Sequence, residues 1–273
     1  MIKRILKNLG VYTGDAPAES MQIERDGFAL QCGVFDPAEV AELVGEIERL
    51  FVERPPERNR DDREEFRYQV LNYSAACQRA IAHPRILEVI EPLLGDDCHV
   101  LSNTAWWNPA GFEGGPWHCD GGPHIPRAEG VPWDERIPYP VFAIGAHIML
   151  RDCDEHDGPT AVVPGSHRSG RLAPFDRMTD PTLEYDGRAP VLVAAAAGDV
   201  ALFASDVWHR GTPAGPGARG RMFLQCHYGR RDLAQRIRTT DEVHHLTAEA
   251  ISRATTARER TLVGLHDPFF YDG

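Results

Sequence analysis

What this chain can fold into is limited most by three side chains. His118 and Asp120 flank a single residue in Pro116-Trp117-His118-Cys119-Asp120-Gly121-Gly122. In an extended strand successive side chains alternate, so the imidazole and the carboxylate point one way while Trp117 and Cys119 point the other. A neutral imidazole beside a carboxylate suits a divalent metal that takes mixed nitrogen and oxygen ligands. Two ligands hold a metal poorly, so a third is expected from far away in sequence, on a neighbouring strand. The candidate is His209, at the end of the run from Gly198 and Asp199 through Val207 and Trp208, with Arg210-Gly211-Thr212-Pro213 after it. The fold must bring these two distant stretches side by side.

Taken in order, the chain supports such a fold. Residues 20–35 read as a short entry segment with a strand at Gly27–Leu30. Asp36-Pro37-Ala38-Glu39 opens a helix: Asp36 is an N-cap, Pro37 fits the first helical position, and Glu39 completes a capping box. Val40, Leu43, Val44, Ile47, Leu50 and Phe51 form its apolar face, and Pro55-Pro56 ends it. The stretch 57–66, almost all charged, reads as a solvated loop or a mobile lid. A second helix is expected over about 75–94, in two pieces around His83-Pro84, with Gly95 as its stop.

From about 97 the pattern changes to strands: 98–101 and 104–107, then 141–150, 160–163, 190–196, 199–203 and 221–228. The Pro- and Gly-rich loop 121–140 is too long to be a simple connection and is read as part of a substrate wall. Residues 241–262 look helical. Many short strands after a helical opening point to an α+β protein: a double-stranded β-helix (jelly-roll, cupin-like) core with helices packed on one side. The expectation is one domain over 1–273, with a helical part at about 36–95, the jelly roll at about 97–230 and a C-terminal helical segment at about 241–273.

Composition excludes several classes. The net charge of −12 and the lack of a basic patch with interleaved aromatics argue against a nucleic-acid partner. No apolar run is long enough to span a membrane. The six cysteines are scattered without a Cys-x-x-Cys, which suits free thiols in a cytoplasmic protein. Nothing in the sequence speaks to oligomeric state.

His-x-Asp with a distant His is the facial triad of non-haem Fe(II) oxygenases, which leaves coordination positions open on one side. Such a centre binds 2-oxoglutarate, whose far carboxylate needs a cation, best an arginine fork. Arg221 and Arg219 are both candidates, on the same face of one strand, and periodicity does not separate them. Placed after a Gly-Pro-rich turn at 211–220, that strand is expected to pair with the one carrying His209. Each motif also has a structural reading: Trp106 and Trp107 as core, His167 as a turn residue, Asp206 as a turn cap or an acceptor that orients a ligand. His124 and His147 stand out because they flank the motif.

The sequence resembles the phytanoyl-CoA dioxygenase-like Fe(II)/2-oxoglutarate oxygenases. The matching pieces are Trp117-His118-Cys119-Asp120, Asp157-Gly158-Pro159-Thr160-Ala161-Val162-Val163-Pro164-Gly165-Ser166-His167, Ala197-Gly198-Asp199, Trp208-His209-Arg210-Gly211 and the strand Arg221–Tyr228, spread over most of 85–230. The resemblance implies His118, Asp120 and His209 as iron ligands and Arg221, not Arg219, as the arginine for 2-oxoglutarate. Thr212 is a candidate second donor to the same carboxylate. His147 stands where family members often carry a tryptophan beside the co-substrate. Halogenating relatives lack the carboxylate that Asp120 supplies, so the implied reaction is hydroxylation of a small-molecule C–H, consuming O2 and 2-oxoglutarate and releasing succinate and CO2. Desaturation, ring closure, or a non-catalytic binding protein on the same barrel are the alternatives. With only two lysines, Lys3 and Lys7, and no glycine-rich phosphate cradle, the chain offers little for a CoA ester. A compact, partly polar metabolite is expected, against walls that carry Arg67, Trp133, Arg136 and Tyr139.

Overall fold

The computed structural model describes residues 16–55, 65–235 and 246–266. The chain opens with α1 (Ala18–Asp26), which the sequence pattern did not announce, and β1 (Phe28–Gln31). Helix α2 (Pro37–Glu53) starts as expected: the Asp36 carboxylate accepts from the Ala38 and Glu39 amides, and Glu39 returns the bond to the Asp36 amide. Most of the charged stretch, 56–64, lies outside the described residues, but its end forms β2 (Glu65–Tyr68), not a loop. The two-piece helix appears as α3 (Ala75–Ile81) and α4 (Pro84–Leu94), with Gly95 as the C-cap.

The strands that follow are β3 (His99–Asn108), β4 (Ala143–Met149), β5 (Thr160–Val162), β6 (Val191–Val193), β7 (Val200–Ala204), β8 (His209–Gly211) and β9 (Arg221–Gly229). They build two antiparallel sheets, one in the order β1-β7-β4-β9-β3-β2 and one in the order β6-β5-β8, facing each other as a jelly roll. The apolar run 199–209 is therefore not one strand. It leaves the large sheet after Ala204, turns through Ser205–Trp208, and joins the small sheet as β8. Likewise β9 does not pair with the His209 strand; its partners are β3 and β4, and β8 pairs with β5. The expected helix at 241–262 is two short ones, α5 (Ala248–Arg253) and α6 (Ala257–Leu262), and its first residues lie outside the described set.

Alternation divides the large sheet cleanly. Leu224, Cys226 and Tyr228 of β9, with Ile144, Ala146 and Ile148 of β4 and Val200, Leu202 and Ala204 of β7, face the helices and form the main core with Leu43, Ile47, Leu50, Ile86 and Ile90. The intervening residues face the small sheet and line the barrel. The tight Gly198-Asp199 turn before β7 depends on glycine: at its φ of +92° a Cβ would strike the Phe35 carbonyl, and Asp199 accepts from the Gly33 and Ala196 amides across it.

Two buried imidazoles make the fold acid-sensitive. Burial holds His99 and His167 down at about 4, against the ordinary value near 6.5. An unfolded chain protonates them first, so their contribution is complete above about pH 6.5 and is lost as the pH falls toward about 4. Thermal melting of the metal-free protein should show this loss, on the order of 3 kcal/mol per histidine. His167→Gln keeps a donor for the Glu24 carbonyl, which Nε2 now contacts at 2.9 Å, and is expected to flatten part of the slope. An unchanged slope would refute this account.

Candidate metal centre

His118 is not in a regular strand. It forms an isolated antiparallel bridge with His209, with each amide donating to the other's carbonyl at 2.9 and 3.0 Å. Residues directly opposite in such a pair send their side chains to the same side. The local alternation still holds: the Asp120 amide donates to the Ser205 carbonyl at 3.0 Å, and its carboxylate points with His118 into the barrel. Strand β8 itself is held by the Asp157–His167 segment. Val162 lies opposite His209, Pro159 accepts from Thr212, and the Ser166 hydroxyl accepts from the Trp208 amide at 2.8 Å. That is the physical reason for the Gly-Pro and Pro-Gly-Ser-His pieces: they fix the strand that carries the second imidazole.

Ligand atoms from His118, Asp120 and His209 all lie within 4.8 Å of one another. The Nε2 atoms of His118 and His209 stand 3.6 and 3.5 Å from Asp120 Oδ1. Each Nδ1 is used elsewhere, on the Pro116 carbonyl at 2.9 Å and the Val207 carbonyl at 3.0 Å. A carbonyl only accepts, so both rings carry their proton on Nδ1 and turn the Nε2 lone pair inward. This is the tautomer a metal needs, set by the backbone before any metal arrives. Burial opposes ionisation of Asp120, but without a metal the rings of His209 and His118, when protonated on Nε2 as well, outweigh it and hold the carboxyl well below the usual range. The His118 side chain is 45% exposed and that of His209 only 6%, so the centre is approached from the His118 side.

Cys119 points away, and its Sγ donates to the Asp206 carbonyl at 3.4 Å. Burial and then the carboxylates of Asp206 and Asp120 push this thiol up to about 12, which makes it inert rather than a ligand. The Asp206 carboxylate accepts from the His124 amide at 3.0 Å, from the His124 ring, and from the Tyr139 hydroxyl at 2.7 Å. Asp206 is thus the tether that ties both ends of the 121–140 loop to the turn between β7 and β8.

Arg221 is buried inside the barrel. Its guanidinium donates to the Thr160 hydroxyl and lies 4.9 Å from the Phe223 ring centroid. Glycine at 211 makes the space, since a Cβ there would come within 2.6 Å of Arg221 Nη2. Arg219 lies outside the barrel and is spent on Asp157 and Asp154 at 2.7 and 3.2 Å. His147 faces the interior between Phe203 and Phe223, with ring centroids at 5.0 and 4.4 Å, and burial and then the Arg221 charge keep it neutral. The Thr212 hydroxyl donates to the Pro159 carbonyl at 2.7 Å, so the hydroxyl that meets Arg221 is Thr160. Thr160 was legible only as part of the Gly-Pro-Thr piece. Arg67 belongs to the helix side: its guanidinium binds the carbonyls of Arg54, Phe66 and Phe51. Arg136 is exposed and pairs with Asp134.

A family model described as Phytanoyl-CoA dioxygenase (PhyH) matches residues 23–220. The ectoine dioxygenase of Bordetella bronchiseptica is 30% identical over 172 residues, which cover 58% of this chain and 52% of that protein. The ectoine dioxygenase of Nocardia farcinica is 27% identical over 173 residues, covering 57% and 53%. The chain spans about half the length of the curated relatives it matches. Among solved structures, HygX from Streptomyces hygroscopicus with nickel and 2-oxoglutarate bound has a TM-score of 0.62 at 19% identity, covering 81% of this chain and 90% of that one. EctD from S. alaskensis with bound Fe gives 0.62 at 20% identity, covering 81% and 79%. These likenesses carry the jelly-roll fold. The family match takes in the His118–His209 bridge, Asp120, β5, β8 and most of the helical layer, and the chain belongs to the phytanoyl-CoA dioxygenase (PhyH) family.

Proposed function

We propose that this protein is an Fe(II)- and 2-oxoglutarate-dependent oxygenase that hydroxylates a C–H of a compact, partly polar metabolite. The observation that carries this reading is the convergence of two Nε2 atoms on the Asp120 carboxylate, with both Nδ1 atoms already spent. Three ligands from one side, approached from His118, leave positions for co-substrate and O2. In this reading Fe(II) supplies the oxygen chemistry, at the expense of 2-oxoglutarate, which leaves as succinate and CO2.

The protein's own part is positioning. His118, Asp120 and His209 hold the metal. Arg221, with Thr160 against it, takes the distal carboxylate of the co-substrate inside the barrel. Neutral His147 lines the same space between its two phenylalanines without adding charge. Thr212 contributes by fixing the Pro159 carbonyl, and so the backbone next to Thr160. Phe203 and Phe223 exclude water around these groups. The names of the curated relatives support a small polar substrate, and the carboxylate at Asp120 supports hydroxylation. We read the barrel and its helices as one catalytic domain, because one continuous core joins them. No helix among the described residues is long and apolar enough to cross a membrane. All six cysteines are free, which supports a reducing, cytoplasmic setting.

The test is direct. The purified protein is expected to bind one Fe(II) and, with O2, to convert 2-oxoglutarate to succinate only when iron is present. Metal binding without succinate would favour a non-catalytic binding protein, and neither would end the reading. Product mass then separates addition of an oxygen atom from loss of hydrogen.

A further inference from the structure

Arg221, Phe223, Gln225 and His227 follow one another along the interior face of β9, and Gln225 is the one residue of that strand that is not buried. It lies opposite Thr104 on β3 and His147 on β4, and Tyr68 of β2 follows beyond Thr104. Of the residues on this face, Tyr68, Ser102, Trp106 and Gln225 are half-buried, whereas Thr104, His147, Phe223 and His227 are buried. The accessible part of the interior therefore lies over the middle of β2, β3 and β9.

The orientation of the Gln225 amide is fixed by chemistry. The Trp106 indole nitrogen sits 2.8 Å from one amide atom, and an indole N–H only donates, so that atom is Oε1. The NH2 group must face away from Trp106, and among the described residues nothing accepts from it. The backbone there is pinned as well, since Asn103 Nδ2 donates to the Gln225 carbonyl at 2.9 Å. Around it runs a row of rings: Tyr68 to Phe66 at 5.1 Å, Phe66 to Trp106 at 4.7 Å, Trp106 parallel to Phe223 at 6.2 Å, and Phe223 to His147 at 4.4 Å. From His147 the row passes through Phe203, which stacks on His209 at 5.9 Å. An aromatic floor thus leads from the half-open edge to the metal triad, with two amide N–H donors as its uncommitted polar group.

We propose that Gln225, oriented by Trp106, is a specificity-determining residue that donates to an acceptor oxygen, carboxylate or carbonyl, of a primary substrate lying on this aromatic row. The proposal rests on the oxygenase reading. A ligand without such an oxygen leaves the amide unpaired and binds on the order of ten- to a hundredfold more weakly. The donor serves the primary substrate rather than 2-oxoglutarate because Arg221, bonded to Thr160, stands four residues away along β9, with Phe223 between.

The test uses full-length protein loaded with Zn(II), which does not turn over, and saturated with 2-oxoglutarate. The probes are acetate, acetamide and methylammonium. The side-chain NH2 resonances of Gln225 are assigned by their loss in Gln225→Leu. Acetate and acetamide are expected to shift this pair, and methylammonium, which has no acceptor, is not. Gln225→Glu still accepts from Trp106 but offers no donor, so it should lose acetate by about tenfold or more and gain methylammonium. A purely structural role would not reverse that preference, and Gln225→Glu serves alone if the leucine variant does not fold. A pair unmoved by acetate and acetamide, or moved equally by methylammonium, overturns the proposal. So does a pair that 2-oxoglutarate alone shifts and the probes then do not. If the protein takes up no 2-oxoglutarate at all, the oxygenase reading falls and the Gln225 proposal falls with it.

Discussion

Asp120→Ala is expected to leave a folded protein that no longer retains iron. The carboxylate is the only anionic group among the three ligands, and it sits between two imidazoles at 3.6 and 3.5 Å. Without it, two neutral nitrogens remain, their rings 4.3 Å apart, and nothing offsets the metal's charge. Loss of a residue that merely orients a ligand costs about ten- to a hundredfold in metal affinity, so loss of the ligand itself should cost more than about a hundredfold. Succinate production should fall below detection. The fold should survive, because residue 120 is held by its backbone amide on the Ser205 carbonyl, which alanine keeps. Asp120→Glu is expected to fail as well. The carboxylate sits at 3.6 and 3.5 Å from the two Nε2 atoms, and an added methylene moves it out of the place where all three ligand atoms converge. Metal content after dialysis, read beside a melting curve, separates these outcomes. An alanine variant that keeps one iron per chain would remove Asp120 from the centre.

The candidate ligands His118 and Asp120 were legible because their pattern is local. His-x-Asp declares itself in three positions, and the Asp36–Glu39 cap and the His83-Pro84 break need only neighbours in sequence. What stayed hidden is long-range pairing. An apolar run such as 199–209 looks the same whether it stays in one sheet or crosses to another, and only the turn at Ser205–Trp208 decides it. The pairing of β9 with β3 and β4, instead of β8, has no local signature for the same reason. Helix α1 was missed because its sequence, AESMQIERD, is mostly polar. It is held by tertiary contacts, among them the Ser20 hydroxyl on the Val89 carbonyl at 2.6 Å, not by an apolar stripe. That the Arg221 guanidinium meets the Thr160 hydroxyl, while Thr212 binds the Pro159 carbonyl, has no local signature either. The arginine sits in the other sheet and reaches across the barrel to β5.

That crossing makes the two arginines separable by experiment. Arg221 and Arg219 fall on one face by periodicity, but Arg219 precedes the strand and turns outward, where it pairs with Asp157 at 2.7 Å and also receives Asp154. Arg221→Ala is expected to weaken 2-oxoglutarate binding by more than about a hundredfold. A buried carboxylate that loses its cationic partner forfeits roughly 3–5 kcal/mol. Arg221→Lys should recover little of this, because a point charge does not reproduce the planar fork that meets Thr160 and a carboxylate together. Arg219→Ala should leave 2-oxoglutarate affinity within about twofold and lower the melting temperature instead. Its partner Asp157 is a buried carboxylate that also accepts from the Arg219 and Asp154 amides, and stripping the exposed guanidinium leaves that charge less compensated. The two variants should therefore show opposite signatures, affinity lost without stability for Arg221 and stability lost without affinity for Arg219. Titration of 2-oxoglutarate into the metal-loaded variants, with melting curves on the same samples, reads both. The reverse assignment would mean that the co-substrate enters from the outer face of β9, and the buried guanidinium of Arg221 would need another partner.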